Sequence, residues 1–185
     1  MMIAVAVLAG AVTWSFLEYV IHRWLGHDRR FRGNAFGVEH IRHHIEGDYF
    51  APTWKKVLVA VIAAAILTAP ALLIAGPAIG MAYVAGLVGF YGVYEWHHRR
   101  DHTHAPFAAY GRWARRHHFH HHLVDARVNF GVTSPLWDLV FGSYRTTTRI
   151  KVPPRLAMVW LIDPRTGGVR AEHAETFVLG KSPRE

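Results

Sequence analysis

The sequence predicts an all-α integral membrane protein, a set of apolar helices carrying a polar, histidine-rich cap on one side. Three observations predict it. Apolar residues gather in long runs at 1–21, 56–75 and 77–94 instead of spreading as they do in a soluble core. Lys and Arg are confined to two segments. Fifteen histidines occur in 185 residues, and fourteen of them lie between His22 and His122. A chain of this length makes one domain, 1–185, and is too short for two large ones.

Span 1 covers 3–21, enough helix to cross a bilayer core. No basic segment precedes it, and cleavage as a signal peptide would cut away a segment that abuts His22, so the span is expected to be retained. Its one acid, Glu18, falls near the end, where an ionised side chain costs less than at the centre. Glu18 reads equally as an interfacial anchor and as a partner of a histidine. A polar loop follows over 22–55, and Trp54 stands as an interfacial aromatic before span 2. Spans 2 and 3, at 57–75 and 77–93, carry no charge between Lys56 and Glu95. Pro70, Gly76, Pro77 and Gly80 punctuate them, so two antiparallel spans joined by almost no loop fit better than one long helix. Residues 131–144 are apolar and aromatic but too short for a span, and are expected to rest on the bilayer surface. The segment 153–185 reads as a peripheral tail, with turns at Asp163-Pro164 and Gly167-Gly168 that suit a short hairpin.

All 21 Lys and Arg residues lie in 22–56 or 99–185. Three spans place both segments on one side, and the positive-inside tendency makes that side cytoplasmic. The same topology brings every histidine to that face. The net charge of +8 needs no nucleic-acid partner, because juxtamembrane cations meet anionic lipid. The absence of cysteine excludes disulfides, thiolate metal sites and a cysteine nucleophile.

The histidines fall into four groups: His22 and His27; His40, His43 and His44; His97, His98, His102 and His104; and His117, His118, His120, His121 and His122. Helical neighbours three or four apart share a face, which pairs His40 with His43 and His44, His98 with His102, and His118 with His121 and His122. His22 and His27, five apart, suit a helix end or a loosened turn. Imidazole is the commonest transition-metal ligand, and this many facing rings exceed the needs of one ion and suit two. Dispersed internal groups do not read as a tag or a buffering tract. There is no HExxH of a hydrolytic zinc site. A substrate in the membrane is a lipid, whose C–H bonds call for a redox-active metal and O2, hence iron, although zinc can take its place in a purified protein. Glu18, Glu39, Glu95, Asp101, Asp125 and Asp138 are candidates to orient the ring N–H groups. Trp96, Phe119, Phe130 and Trp137 read equally as substrate-channel walls and as interfacial packing. Arg99, Arg100, Arg115 and Arg116 read as topology determinants, or as contacts for an anionic head group or a redox partner.

HRWLGH at 22–27, HIRHH at 40–44, YEWHHRRDH at 94–102 and HHFHHHLVDARVNFGVTSPLWDLVFGSY at 117–144 together resemble the fatty acid hydroxylase/sterol desaturase superfamily of membrane di-iron enzymes. The resemblance covers about 120 residues, and NFGVTSPLWDLVFGSY is most similar to fatty acid 2-hydroxylases. It implies a catalytic cap whose metal ligands are His22, His27, His40, His43, His44, His98, His102, His118, His121 and His122. His97 then falls beside the ligands, as do His104, His117 and His120, and His173 lies apart. It also implies two Fe ions, O2 as co-substrate, a lipid acyl chain as substrate, and a separate ferredoxin or cytochrome b5-like electron donor with its reductase. A carotenoid ring hydroxylase is the alternative, although H98-x3-H102 and the GVTS–WD segment depart from it; a sterol or lipid desaturase is another. A membrane metal-binding or transport protein is the non-enzymatic alternative, and transport would predict ionisable residues that spans 2 and 3 lack.

Overall fold

The computed structural model describes residues 1–31 and 33–180; Arg32 and the end of the expected tail, 181–185, lie outside the described residues. Helix α1 is Met2–Val20 and runs unbroken into a π-helical turn, Ile21–His27. Helix α2 is Ala35–Glu46, α3 is Thr53–Thr103, α4 is Ala108–Leu123 and α5 is the short Leu136–Val140. Two of these, α1 with its π turn and α3, are long and apolar enough to cross a membrane.

Helix α3 is two arms. Gly76 adopts φ 77° and ψ 167°, a left-handed conformation that only glycine takes cheaply, and the following Pro77 cannot donate to the turn before it. The arms fold back on each other, so that Lys56 near the start pairs with Glu95 near the end and Tyr91 Oη donates to the Lys56 carbonyl at 3.3 Å. The second arm lies parallel to α1. Trp14 packs on Tyr91 and Tyr94 at ring-centroid distances of 4.6 and 5.9 Å. The backbones touch: a Cβ on Gly10 would stand 2.0 Å from the Tyr83 carbonyl oxygen, and one on Gly86 2.1 Å from that of Val7. Apolar helices without water between them gain their packing from such close approach. Both α1 and the second arm therefore end at the same level, delivering their C-terminal histidines together.

Asn34 sets the start of α2. Its Oδ1 accepts from the Gly37 N–H at 2.9 Å, a helix N-cap, while its Nδ2 donates to the carbonyls of Leu25 and Phe31 at 2.7 and 2.8 Å. One side chain thus ties α2 to the π turn.

The segment read as a peripheral tail is built differently. Strands β1 (Ile150–Val152) and β2 (Phe177–Leu179) pair in parallel, Ile150 opposite Phe177 and Val152 opposite Leu179. Ile150, Val152, Leu161, Trp160 and Phe177 are buried against Phe119 of α4. This corrects the expectation for 153–180: enough apolar side chains recur there to close a small core over the helical cap. The hairpin read from Gly167-Gly168 is present as a single antiparallel bridge, Ile162 to Val169. Segment 131–144 turns through Ser134-Pro135 into α5 and docks on α1, with Trp137 edge-on to Phe16 at 4.8 Å and Trp137 Nε1 donating to Ser15 Oγ at 3.0 Å.

Candidate metal centre

The ten histidines meet as two clusters of five. His22, His27, His40, His44 and His121 form one; His43, His98, His102, His118 and His122 form the other, and within each the ring nitrogens lie within 4.8 Å of one another. The pairing differs from the expected one in a way helix geometry explains. Adjacent residues are turned by about 100° on a helix, so the rings of each His-His pair diverge. His40 and His44 face the first cluster while His43 faces the second; His118 and His122 face the second while His121 faces the first. Helices α2 and α4 therefore serve both clusters, and the stacked rings of His44 and His122, 3.9 Å apart, form the wall between them. His22 and His27 reach the same cluster because the π turn brings residues five apart onto one face.

The ring nitrogens are oriented by backbone carbonyls. His22 Nδ1 donates to the Phe130 carbonyl at 2.5 Å, His121 Nδ1 to that of Val128 at 2.7 Å, and His43 Nδ1 to that of Tyr49 at 2.6 Å. A carbonyl only accepts, so each Nδ1 carries the proton and each Nε2 of a neutral ring is a bare lone pair. Yet His22 Nε2 faces His121 Nε2 at 2.9 Å. Two lone pairs cannot share a hydrogen bond. Protonating one ring would supply it, but burial holds His121 well below its ordinary value. Convergent lone pairs on desolvated, neutral imidazoles fit a cation between them, and an all-nitrogen donor set suits iron or zinc.

The acids behave otherwise than expected. Among the described residues, none of Glu18, Glu39, Glu95, Asp101, Asp125 and Asp138 accepts a hydrogen bond from a ring of the two clusters. Glu39 pairs with Lys55 and Tyr49, Glu95 with Lys56, and Asp125 with Arg127 on the surface. Each takes the nearest cation or donor. Glu18 and Asp138 instead shape the loop that supplies the Phe130 carbonyl. Glu18 accepts from the Val132 and Thr133 N–H groups and from Thr133 Oγ1. Asp138, fully buried, accepts from Phe130 N, Gly131 N and Ser143 Oγ at 2.7–2.9 Å and from His117 Nε2 at 3.2 Å. Burial raises its carboxyl, but these donors outweigh burial and hold it below the usual range.

Asp101 stands behind His102. Its Oδ1 lies 3.0 Å from Arg115 Nη1, a charge contact without directed hydrogen-bond geometry, and its Oδ2 lies 3.6 Å from His97 Nε2. His97 stacks on Tyr110 at 5.3 Å, outside both clusters. His117 and His120 also point away, and His104 is exposed. His173 packs edge-on to Trp160. Sequence reasoning missed Arg115 and Trp160 as structural parts of the site. Arg115 donates to the carbonyls of Arg100 and His104 at the end of α3, and Trp160 Nε1 to those of Asp101 and His102. Of the four aromatics considered for a channel, Phe119 and Phe130 pack against cluster rings, whereas Trp137 and the exposed Trp96 lie outward.

A 240 Å³ cavity adjoins both clusters. Trp14, Val59, Phe50 and Tyr94 give it apolar walls, and it reaches His40 of the first cluster and His43 and His98 of the second.

The fatty acid hydroxylase family model matches residues 7–143. Two Arabidopsis thaliana proteins named dihydroceramide fatty acyl 2-hydroxylase are 31% and 32% identical to the chain, each over 76% of it. The chain spans 61% of the length of these two relatives. The Homo sapiens protein named fatty acid 2-hydroxylase is 28% identical over 72% of this chain and 38% of its own length. The hydroxylase domain seen in a solved structure of full-length Scs7p superposes with a TM-score of 0.60 at 27% identity, covering 77% of this chain and 57% of that one. With the family model spanning all ten clustered histidines and the fold shared with a solved hydroxylase domain, the chain belongs to the fatty acid hydroxylase family.

Proposed function

We propose that this protein is a membrane-embedded hydroxylase of lipid acyl chains, acting at carbon 2 with O2 at a di-iron site. The observation that carries the reading is the apolar cavity that ends on His40, His43 and His98, where the two five-histidine clusters meet it. An aliphatic chain fits those walls, and the relatives' names point to the 2-position.

Two Fe ions bound by His22, His27, His40, His44 and His121 and by His43, His98, His102, His118 and His122 would supply O2 activation and C–H hydroxylation. The chain's own residues do the rest. The carbonyls of Phe130, Val128 and Tyr49 hold the Nδ1 protons, fixing which nitrogen faces inward. Trp14, Phe50 and Tyr94 exclude water from the cavity and align the acyl chain along it. Electrons come from a separate ferredoxin or cytochrome b5-like donor with its reductase. The apolar α1 and α3 sit in the bilayer, and the confinement of Lys and Arg to the histidine end supports a cytoplasmic cap.

Lipid analysis of cells with and without the gene tests the reading. A 2-hydroxyacyl species that depends on the gene and on His98 and His121 is the expected result. A gene-dependent hydroxylated carotenoid or a desaturated lipid, with no 2-hydroxyacyl product, would overturn it.

A further inference from the structure

The segment NFGVTSPLWDLVFGSY, 129–144, does more than dock on α1, and its first residue shows how. Asn129 is buried and takes φ 58°, a left-handed conformation that asparagine tolerates and most other residues with a side chain avoid. It stands between Val128 and Phe130, whose carbonyls hold His121 Nδ1 and His22 Nδ1. One ring comes from α4 and the other from the π turn that follows α1, and both belong to the first cluster. A single left-handed residue thus separates the two acceptors that set the protonation of these rings.

Rigid peptide planes explain why this residue matters. A carbonyl and the N–H of the next residue lie in one plane and point opposite ways. The Val128 carbonyl shares its plane with the Asn129 N–H, which donates to the Ser143 carbonyl at 3.0 Å. The Phe130 carbonyl shares its plane with the Gly131 N–H, which donates to Asp138 Oδ2 at 2.8 Å. Each plane is a lever, pinned at its N–H end by Ser143 or Asp138 and ending at its carbonyl on a ring nitrogen. The φ angle of Asn129 is the torsion that turns the first plane against the residue leading into the second. The side chain holds that torsion. Its Oδ1 accepts from the Arg145 N–H at 2.7 Å, and its Nδ2 donates to the carbonyls of Arg145 and His117 at 2.9 and 3.4 Å. The amide thereby ties the bend at 128–130 both to Arg145 and to α4, one turn before His121. No ring of the second cluster takes part; there the Tyr49 carbonyl holds His43 Nδ1.

We propose that Asn129 is a positioning residue of the first cluster, holding the Val128 and Phe130 carbonyls at the angle that fixes His121 and His22 with Nε2 turned to the metal. It acts through two backbone carbonyls, and the inference rests on the two clusters being metal sites. If the carbonyls swing away, each ring is free to turn or to carry its proton on Nε2, and the lone pair that an ion needs is lost.

The test loads iron(II) into the full chain in detergent without O2 and measures the affinity of each ion by chelator competition. Mössbauer spectra identify which ion leaves, by comparison with His44→Ala, which lacks a ligand of the first cluster. Asn129→Ala loses the amide and is strained at positive φ. It is expected to weaken the first-cluster ion by about tenfold to a hundredfold and to leave the second-cluster ion unchanged. Asn129→Gly also loses the amide but takes positive φ freely, and is expected to recover part of that loss. Should Asn129→Ala not fold, Asn129→Gly decides alone on the same two affinities. A residue that serves only the fold would weaken both ions together, or lower the thermal midpoint with both ions held as before. Either result in both variants would overturn the proposal. Two ions bound by the unmodified chain with no first-cluster loss in the variants defeats the positioning role alone. An unmodified chain that binds no iron defeats the metal-centre reading, and the proposal with it.

Discussion

Trp160 donates its indole N–H to the carbonyl oxygen of His102 at 3.1 Å, a bond across 58 positions of sequence. It shares the proton with the Asp101 carbonyl at 3.2 Å. These are carbonyls at the end of α3, where no further helical turn satisfies them. Residue 160 lies beyond the segment matched by the family model, yet it steadies the backbone under a cluster histidine.

Trp160→Phe keeps most of the buried ring and removes the donor. The expected cost is about 1 kcal/mol of stability. Metal affinity at the second cluster should fall by roughly tenfold or more, as for other residues that support ligands indirectly. Chelator competition with the purified protein measures it; unchanged affinity would show that the bond holds the backbone without serving the site.

His43 and His44 divide between the clusters, as do His121 and His122, so substitutions close in sequence should have separable effects. His43→Ala and His118→Ala are expected to weaken the ion in the second cluster, and His44→Ala and His121→Ala the ion in the first. Metal analysis after dialysis should find about one ion of two lost in each variant, with hydroxylation abolished in all four. Spectra of the remaining ion should sort the variants into two classes, 43 with 118 and 44 with 121. Any other sorting would contradict the assignment of rings to clusters.

Asp138→Asn leaves the size of the side chain unchanged and removes a charge that gathers four donors. Hydrogen bonds to a charged group are worth roughly 1.5–3 kcal/mol each, so a clear fall in the thermal midpoint is expected. Because Asp138 fixes the Phe130 N–H, the Phe130 carbonyl should shift and release His22. Loss of metal from the first cluster before the second would bear this out.

Gly86→Leu tests the contact of α1 with α3. The new Cβ would meet the Val7 backbone at 2.1 Å, which no rotamer relieves. A loss of about 1–3 kcal/mol is expected from overpacking. Gly89, where a Cβ meets nothing within 4 Å, provides the control: Gly89→Ala should leave the thermal midpoint unchanged or raise it.

The histidines were legible because a metal site demands a rare residue at helical intervals. The break at Gly76-Pro77 was legible because two residues that disrupt helices stand together in an apolar run. The division of His43 from His44 needed the packing of α2 between its neighbours, since both intervals, three and four, are allowed on one helix face. Glu39, Glu95 and Asp125 face other partners, because Lys55, Lys56 and Arg127 lie close to them in the fold, a proximity the sequence does not show. The groups that do orient the rings, the carbonyls of Phe130, Val128 and Tyr49, carry no sequence signal at all, because every residue has a carbonyl. Trp160 was hidden for another reason: it packs with β1 and β2, which pair across 24 intervening positions, and short strands of that kind give no local period.

The contact between His22 and His121 spans 99 positions of chain. During synthesis, α1 and its π turn emerge before α4, and their two imidazoles wait until α4 has been made before the first cluster can close. Closure of so long a loop comes late, because its entropy must be met before any contact repays it. The two histidine clusters are therefore a clasp fastened late in folding, joining α1 to a helix made about a hundred residues after it.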